Sequence, residues 1–288
     1  MRDDTNHSNA ETEPNNEKVK IYLLPNLFTA GNLACGFFAL TWMFQYSPDK
    51  GFDPIYNAIK LILAAFAFDF FDGRVARVTR KESPFGREFD SLADMVSFGV
   101  APAFLVYRIV LYEFVRTGWV VAAVYLVCGG IRLARFNILT QMGSKKSRDE
   151  FIGFPIPSAA ALVVSVAMFM ISLQQDNRIM PRGTPEHPLG LWRFALPGLM
   201  LLLSFMMVSN VRYPTFKNVG WTLQKSVAVF ALIVVVALLL AAHFEVTLAG
   251  LFVAYLLYGL LRPWVSKRWR REIESDDDND EPPASPEI

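Results

Sequence analysis

Apolar residues in this chain do not alternate with polar ones. They come in runs of about twenty, separated by shorter stretches that collect Lys, Arg, Asn and Pro. A run of roughly 20 apolar residues crosses the hydrocarbon layer as an α-helix, whereas a strand with one buried face shows a period of two. Eight runs are readable, at about 24–46, 55–81, 87–113, 117–141, 155–174, 190–209, 226–243 and 246–264. The last two are short and meet at His243-Phe244-Glu245, which predicts a C-terminal helical hairpin. Pro25, Pro155 and Pro157 stand at run starts, where a missing backbone N–H costs nothing. The pattern predicts an all-α integral membrane protein with about eight transmembrane helices.

Composition agrees with the pattern. Of 288 residues, 53% are hydrophobic, more than soluble domains carry, and no internal repeat or soluble domain is visible. Residues 1–20 read as a disordered cytoplasmic tail, because a polar stretch rich in Asn, Glu and Asp lacks the apolar segment of a signal peptide. Residues 21–210 form the expected transmembrane core and 211–265 a two-helix membrane extension. A basic juxtamembrane segment and an acidic disordered tail follow at 266–288. Cys35 and Cys128 each lie inside an apolar run, so neither a disulfide scaffold nor a zinc site is suggested. None of His7, His187 and His243 pairs with a nucleophile.

Charge sets the expected orientation. With both termini in the cytoplasm, the basic clusters around 74–87, 132–148, 212–225 and 262–271 all fall inside. Only Lys50, Lys60, Arg108, Arg116, Arg178, Arg182 and Arg193 are left for the far side. The stretch Lys267-Arg268-Trp269-Arg270-Arg271 then lies on the anionic headgroup layer, as an ordinary positive-inside anchor.

One region stands out from this apolar background. Asp69 and Asp72 are three apart, and Asp90 and Asp94 four apart, so each pair shares a helix face. Thr79 to Phe85 between them reads as a short turn, since Pro84 interrupts helix. The result is an antiparallel hairpin with four carboxylates near its cytoplasmic mouth. Ionised acids in a membrane segment cost several kcal/mol without a compensating cation, so they mark function. The economical compensator is a pair of divalent cations roughly 3.5–4 Å apart. Oxygen ligands favour Mg²⁺ or Mn²⁺. Gly73 and Gly86 leave room for close backbone approach, Ala76 keeps the face narrow, and Arg77 offers a fork for phosphate oxygens.

The eight positions Asp69, Asp72, Gly73, Ala76, Arg77, Gly86, Asp90 and Asp94 stand in a fixed register similar to the signature of the CDP-alcohol phosphatidyltransferase family. The resemblance implies a six-helix core, a binuclear metal site, and transfer of a phosphatidyl group from a CDP-linked lipid to an alcohol with release of CMP. It also implies that Asp69, Asp72 and Asp90 bind metal. By the same resemblance Asp94 reaches the metal site and is the candidate base for the acceptor hydroxyl. Gly73, Ala76, Arg77 and Gly86 line the CDP pocket. A homodimer is expected on the same ground, and the charge asymmetry places the active site on the cytoplasmic side of what is expected to be a bacterial inner membrane. Nucleic acid is not an expected partner.

Three further stretches resemble the phosphatidylserine synthase branch: Leu24 to Asn32, Ser91 to Ala103 and Gly130 to Asn137, with Pro155-Ile156-Pro157-Ser158 fitting too. The expected substrates are therefore CDP-diacylglycerol and L-serine. Serine brings a carboxylate that needs a fixed cation. Arg132 and Arg135, one turn apart, are the candidates, against a plain anchoring or phosphate-binding role. Asn137 either assists with the ammonium or caps its helix. Asn26, Thr29 and Asn32 either reach the cytidine or ribose, or serve capping and helix packing.

Three rival readings remain. Glycerol phosphate or inositol phosphate as acceptor would need a second phosphate-binding basic cluster. A cation transporter would place its acids near the midplane in broken helices of an inverted repeat, and none is seen. A dead scaffold would have lost one of the motif acids, and all are present.

Overall fold

The computed structural model describes residues 23–47, 51–79, 83–114, 116–141, 150–175, 194–209, 212–214 and 234–261. Five of its helical spans are long and apolar enough to cross a membrane: Asn26–Phe44, Asp53–Val75, Pro84–Ile109, Gly118–Thr140 and Ile156–Leu173. Shorter apolar helices cover Ala195–Val208 and Phe244–Tyr258. The chain is thus an all-α membrane protein. A count of eight spans goes beyond what length and composition give among the described residues.

In chain order, α1 is Leu23–Phe44, α2 Asp53–Thr79 and α3 Pro84–Asp94. One π-helical segment, Met95–Val100, joins α3 to α4 (Ala101–Ile109), and the three run as a single rod. After a 3₁₀ turn at Leu111–Glu113 come α5 (Gly118–Gln141), α6 (Ile156–Gln175) and α7 (Ala195–Val208). Helix α8 covers 234–242, and α9 is Phe244–Leu261. The tails at 1–20 and 266–288, the basic stretch 267–271 and His187 lie outside the described residues.

Two details differ from the sequence expectation. Pro84 does not sit in the turn but opens α3, in its first turn. There its lack of an N–H is harmless, and the Ser83 side chain accepts from Gly86 N–H at 3.0 Å to cap the helix. The second is a short antiparallel ladder, Glu150–Ile152 (β1) with Arg212–Pro214 (β2), tying the approach to α6 to the exit of α7. Gly153 follows with φ +79°, where a Cβ would stand 2.4 Å from the Met207 carbonyl oxygen, so only glycine fits this close turn.

Helix α6 occupies the centre. Two thirds of the Ile156–Leu173 window is buried, against 17% for Gly118–Thr140 on α5. A helix apolar all round can sit inside a bundle, and its Leu162, Val163, Val164, Ala167 and Ile171 are fully enclosed. α1 lies along α2, and it also meets the rod of α3 and α4. This last contact is very close: a Cβ on Gly36 would stand 2.4 Å from Ser97 Oγ and 2.9 Å from Ser97 Cα. Small residues allow such backbone approach between membrane helices. Ser97 Oγ uses it to donate to the Asn32 carbonyl at 2.9 Å, while Phe98 stacks on Phe66 at 4.3 Å. At the other end, Arg108 donates to the Met43 carbonyl at 3.2 Å, which also accepts from Tyr46 N–H, and to the Tyr46 carbonyl just past α1. At His243 the chain bends sharply where a turn is expected. Thr247 Oγ1 donates to the Leu239 carbonyl at 3.1 Å, although eight residues of straight helix would rise about 12 Å.

Candidate active site

Helices α2 and α3 meet with their acidic faces toward each other. Asp69, Asp72 and Asp90 each offer a carboxylate oxygen, and these three lie within 4.8 Å of one another. Asp94 lies one turn further along α3 and is nearly enclosed. The polar residues of α1 reach both pairs: Thr29 Oγ1 donates to Asp72 Oδ2 at 3.1 Å, and Asn32 Nδ2 to Asp94 Oδ1 at 3.2 Å. The spacing of 29 and 32 places them on one face of α1, turned inward.

Two ionised carboxylates about 4 Å apart repel by roughly 4 kcal/mol at an effective dielectric of 20, and three do so pairwise. A cation among them would offset that repulsion. The donor set suits one: all ligands are hard oxygens, and Asp90 Oδ1 is buried without a hydrogen-bond partner among the described residues. Asp69, Asp72 and Asp90 therefore fit a divalent metal.

Beside the acids opens a cavity of about 790 Å³, with Asp69, Gly73, Asp90 and Asp94 on one wall. Arg132, Phe136 and Asn137 of α5 form a second wall, Pro155, Pro157 and Ser158 a third, and Leu251, Phe252 and Tyr255 of α9 a fourth. Arg132 is 6% exposed, and its guanidinium lies over the Phe136 ring at 5.2 Å. Its Nε has no hydrogen-bond partner among the described residues. A buried cation with an open donor in a cavity is a place for an anion.

The remaining expected site residues divide. Arg135 donates to the Val208 carbonyl at 3.4 Å and to that of Ser209 at 3.2 Å, at the end of α7, and does not line the cavity. Asn137 donates to Ser91 Oγ at 2.8 Å, next to Asp90. Among the described residues, a Cβ on Gly73 would meet nothing within 4 Å, which leaves space beside it. Gly86 faces Asn26 instead: a Cβ there would lie 3.2 Å from Asn26 Oδ1, and Asn26 Nδ2 is buried without a partner among the described residues. Ala76 and Arg77 fall in the last turns of α2, and their side chains lie outside the described residues. Thr29 and Asn32, expected near cytidine or ribose, have the acids as partners. Sequence reasoning did not find Phe252 and Tyr255. Their only signal was the spacing 248, 252, 255 along an apolar helix, which fixes a face but not what it covers.

Residues 22–189 match the model of the CDP-alcohol phosphatidyltransferase family. The chain belongs to that family. The matched region carries all four acids and runs from α1 through α6, stopping before α7 and α9. Among curated relatives of this family, a CDP-diacylglycerol–serine O-phosphatidyltransferase of Helicobacter pylori is 40% identical over 248 residues, 85% of this chain and 92% of its own. Enzymes with the same name from Bacillus subtilis and Methanocaldococcus jannaschii are each 33% identical. They span 68% and 72% of this chain, and 92% and 84% of their own lengths.

Proposed function

We propose that this protein transfers the phosphatidyl group of CDP-diacylglycerol to the hydroxyl of L-serine, giving phosphatidylserine and CMP. The observation that carries this reading is the meeting, on one cavity, of Asp69, Asp90, the deeper Asp94 and the buried Arg132, with Asp72 completing the carboxylate cluster beside it. The names of the relatives point the same way.

In this mechanism Asp69, Asp72 and Asp90 would hold two divalent cations, Mg²⁺ or Mn²⁺, with Asp94 reaching the same site. When bound, these would neutralise charge on the pyrophosphate and on departing CMP. Arg132 holds the serine carboxylate, which turns the hydroxyl toward Asp94. Asp94 takes the hydroxyl proton as the serine oxygen bonds to the phosphorus bearing diacylglycerol, and the bond from that phosphorus to the CMP oxygen breaks. Asn32 holds the Asp94 carboxylate in place during this step. Asn26, Gly73, Ala76, Arg77 and Gly86 form the CDP side, and Asn137 lies at the acceptor side through Ser91. Lipid tails remain in the bilayer, the catalytic unit is 21–210, and the site and both termini face the cytoplasm.

Purified protein incubated with CDP-diacylglycerol, Mn²⁺ and labelled serine tests this directly. Labelled phosphatidylserine and an equal amount of CMP are expected, with Asp94→Asn reduced by at least 100-fold. Label that stays in free serine while glycerol phosphate or inositol phosphate is consumed moves the acceptor assignment elsewhere.

A further inference from the structure

Among the described residues, the helices of the family-matched region leave one wall of the cavity to α9, which begins at Phe244, well past residue 189. The placement of this helix is specific. Ala249 and Leu256 are buried, and Leu248, Phe252 and Tyr255 pack on the core, at the spacing of one helix face. α9 lies chiefly against α6, the central helix, and the Tyr255 ring sits 5.6 Å from that of Phe154, just before α6. Ala254, on another face, borders an outer apolar groove between α8 and α9.

Arg132 brings the cation to this part of the cavity, and the aromatic groups around it set how much space is left beside it. Phe136 covers one side of the guanidinium, while Tyr255 and Phe252 enter from α9. Serine is a small acceptor. A rigid ring near the group that holds its carboxylate would exclude amino alcohols with a longer or branched side chain.

We infer that α9 is a working wall of the acceptor pocket, and that the Tyr255 ring is a positioning and specificity-determining group beside Arg132. This deepens the serine reading and rests on it. The ring's bulk does the sizing.

The test uses full-length protein in detergent, with CMP release and labelled product as readouts. Tyr255→Ala is expected to raise the serine KM about 10-fold while kcat and the CDP-diacylglycerol KM stay within about 3-fold. The same variant gains at least 10-fold in homoserine use relative to serine. Ala254→Leu, on the outer face, stays within about 3-fold of the unsubstituted protein in every parameter. Unchanged serine KM and acceptor ratio in a folded, monodisperse Tyr255→Ala overturn the inference, as does an equal rise in both KM values. If Tyr255→Ala does not fold, the acceptor ratio of Tyr255→Leu decides in the same way. An unsubstituted protein that ignores serine refutes the underlying reading instead.

Discussion

Asn32 on α1 donates a hydrogen bond to Asp94 on α3 at 3.2 Å, across 62 positions of sequence. The two meet because Gly36, one turn further along α1, lets the helix backbones approach at Ser97. Ser97 then fixes the Asn32 backbone through its carbonyl. An acid proposed to take a proton at one position in space is thereby held from a neighbouring helix.

Removing that hold should cost turnover more than binding. Asn32→Ala is expected to lower kcat about 10-fold, with both KM values within about 3-fold, because only the orientation of Asp94 is lost. Steady-state kinetics with both substrates varied will check this. A fall confined to the CDP-diacylglycerol KM would instead favour direct contact of Asn32 with the nucleotide.

Close helix approach should be equally sensitive. Gly36→Val places side-chain carbons where Ser97 already lies, so α1 must move away from the rod of α3 and α4. A loss of about 1–3 kcal/mol in stability is expected, seen as earlier thermal unfolding in detergent, together with reduced activity.

Metal binding can be read without turnover. Titration calorimetry of the unsubstituted protein with Mn²⁺ is expected to give a binding signal that Asp69→Asn, Asp72→Asn and Asp90→Asn each weaken by at least 10-fold. Replacing one carboxylate removes both a charge and a ligand from a cluster within 4.8 Å. Chelator should abolish activity and added Mn²⁺ or Mg²⁺ restore it. Full activity in excess chelator would refute the metal assignment.

The two arginines of α5 should separate cleanly. Arg132→Gln is expected to raise the serine KM by about 10- to 100-fold, since a charge-assisted pair with the carboxylate is lost. Arg135→Gln should leave the serine KM unchanged and lower the unfolding temperature, because its partners are the carbonyls of Val208 and Ser209 at the end of α7. The reverse pattern would exchange their roles.

Much of this protein is legible in one dimension. Unbroken apolar runs have no other way to satisfy their backbone in lipid than as helices, so the membrane architecture follows from hydropathy. The acids at 69, 72, 90 and 94 are equally legible, because helical period alone puts each pair on one face and a short turn brings the faces together. Relations between distant segments were not. Arg132 and Arg135 are equivalent by spacing, yet one is buried in the cavity and the other caps α7, a difference set by which helix packs on each side of α5. Thr29 and Asn32 carry no sequence mark that assigns them to the acids. Tyr255 lies in a run that hydropathy reads as featureless, and only the docking of α9 against α6 brings it to the cavity. Local periodicity is a property of the chain itself. The choice among many apolar faces of similar hydrophobicity is made by shape, through close-packed contacts that exist only once the bundle has formed.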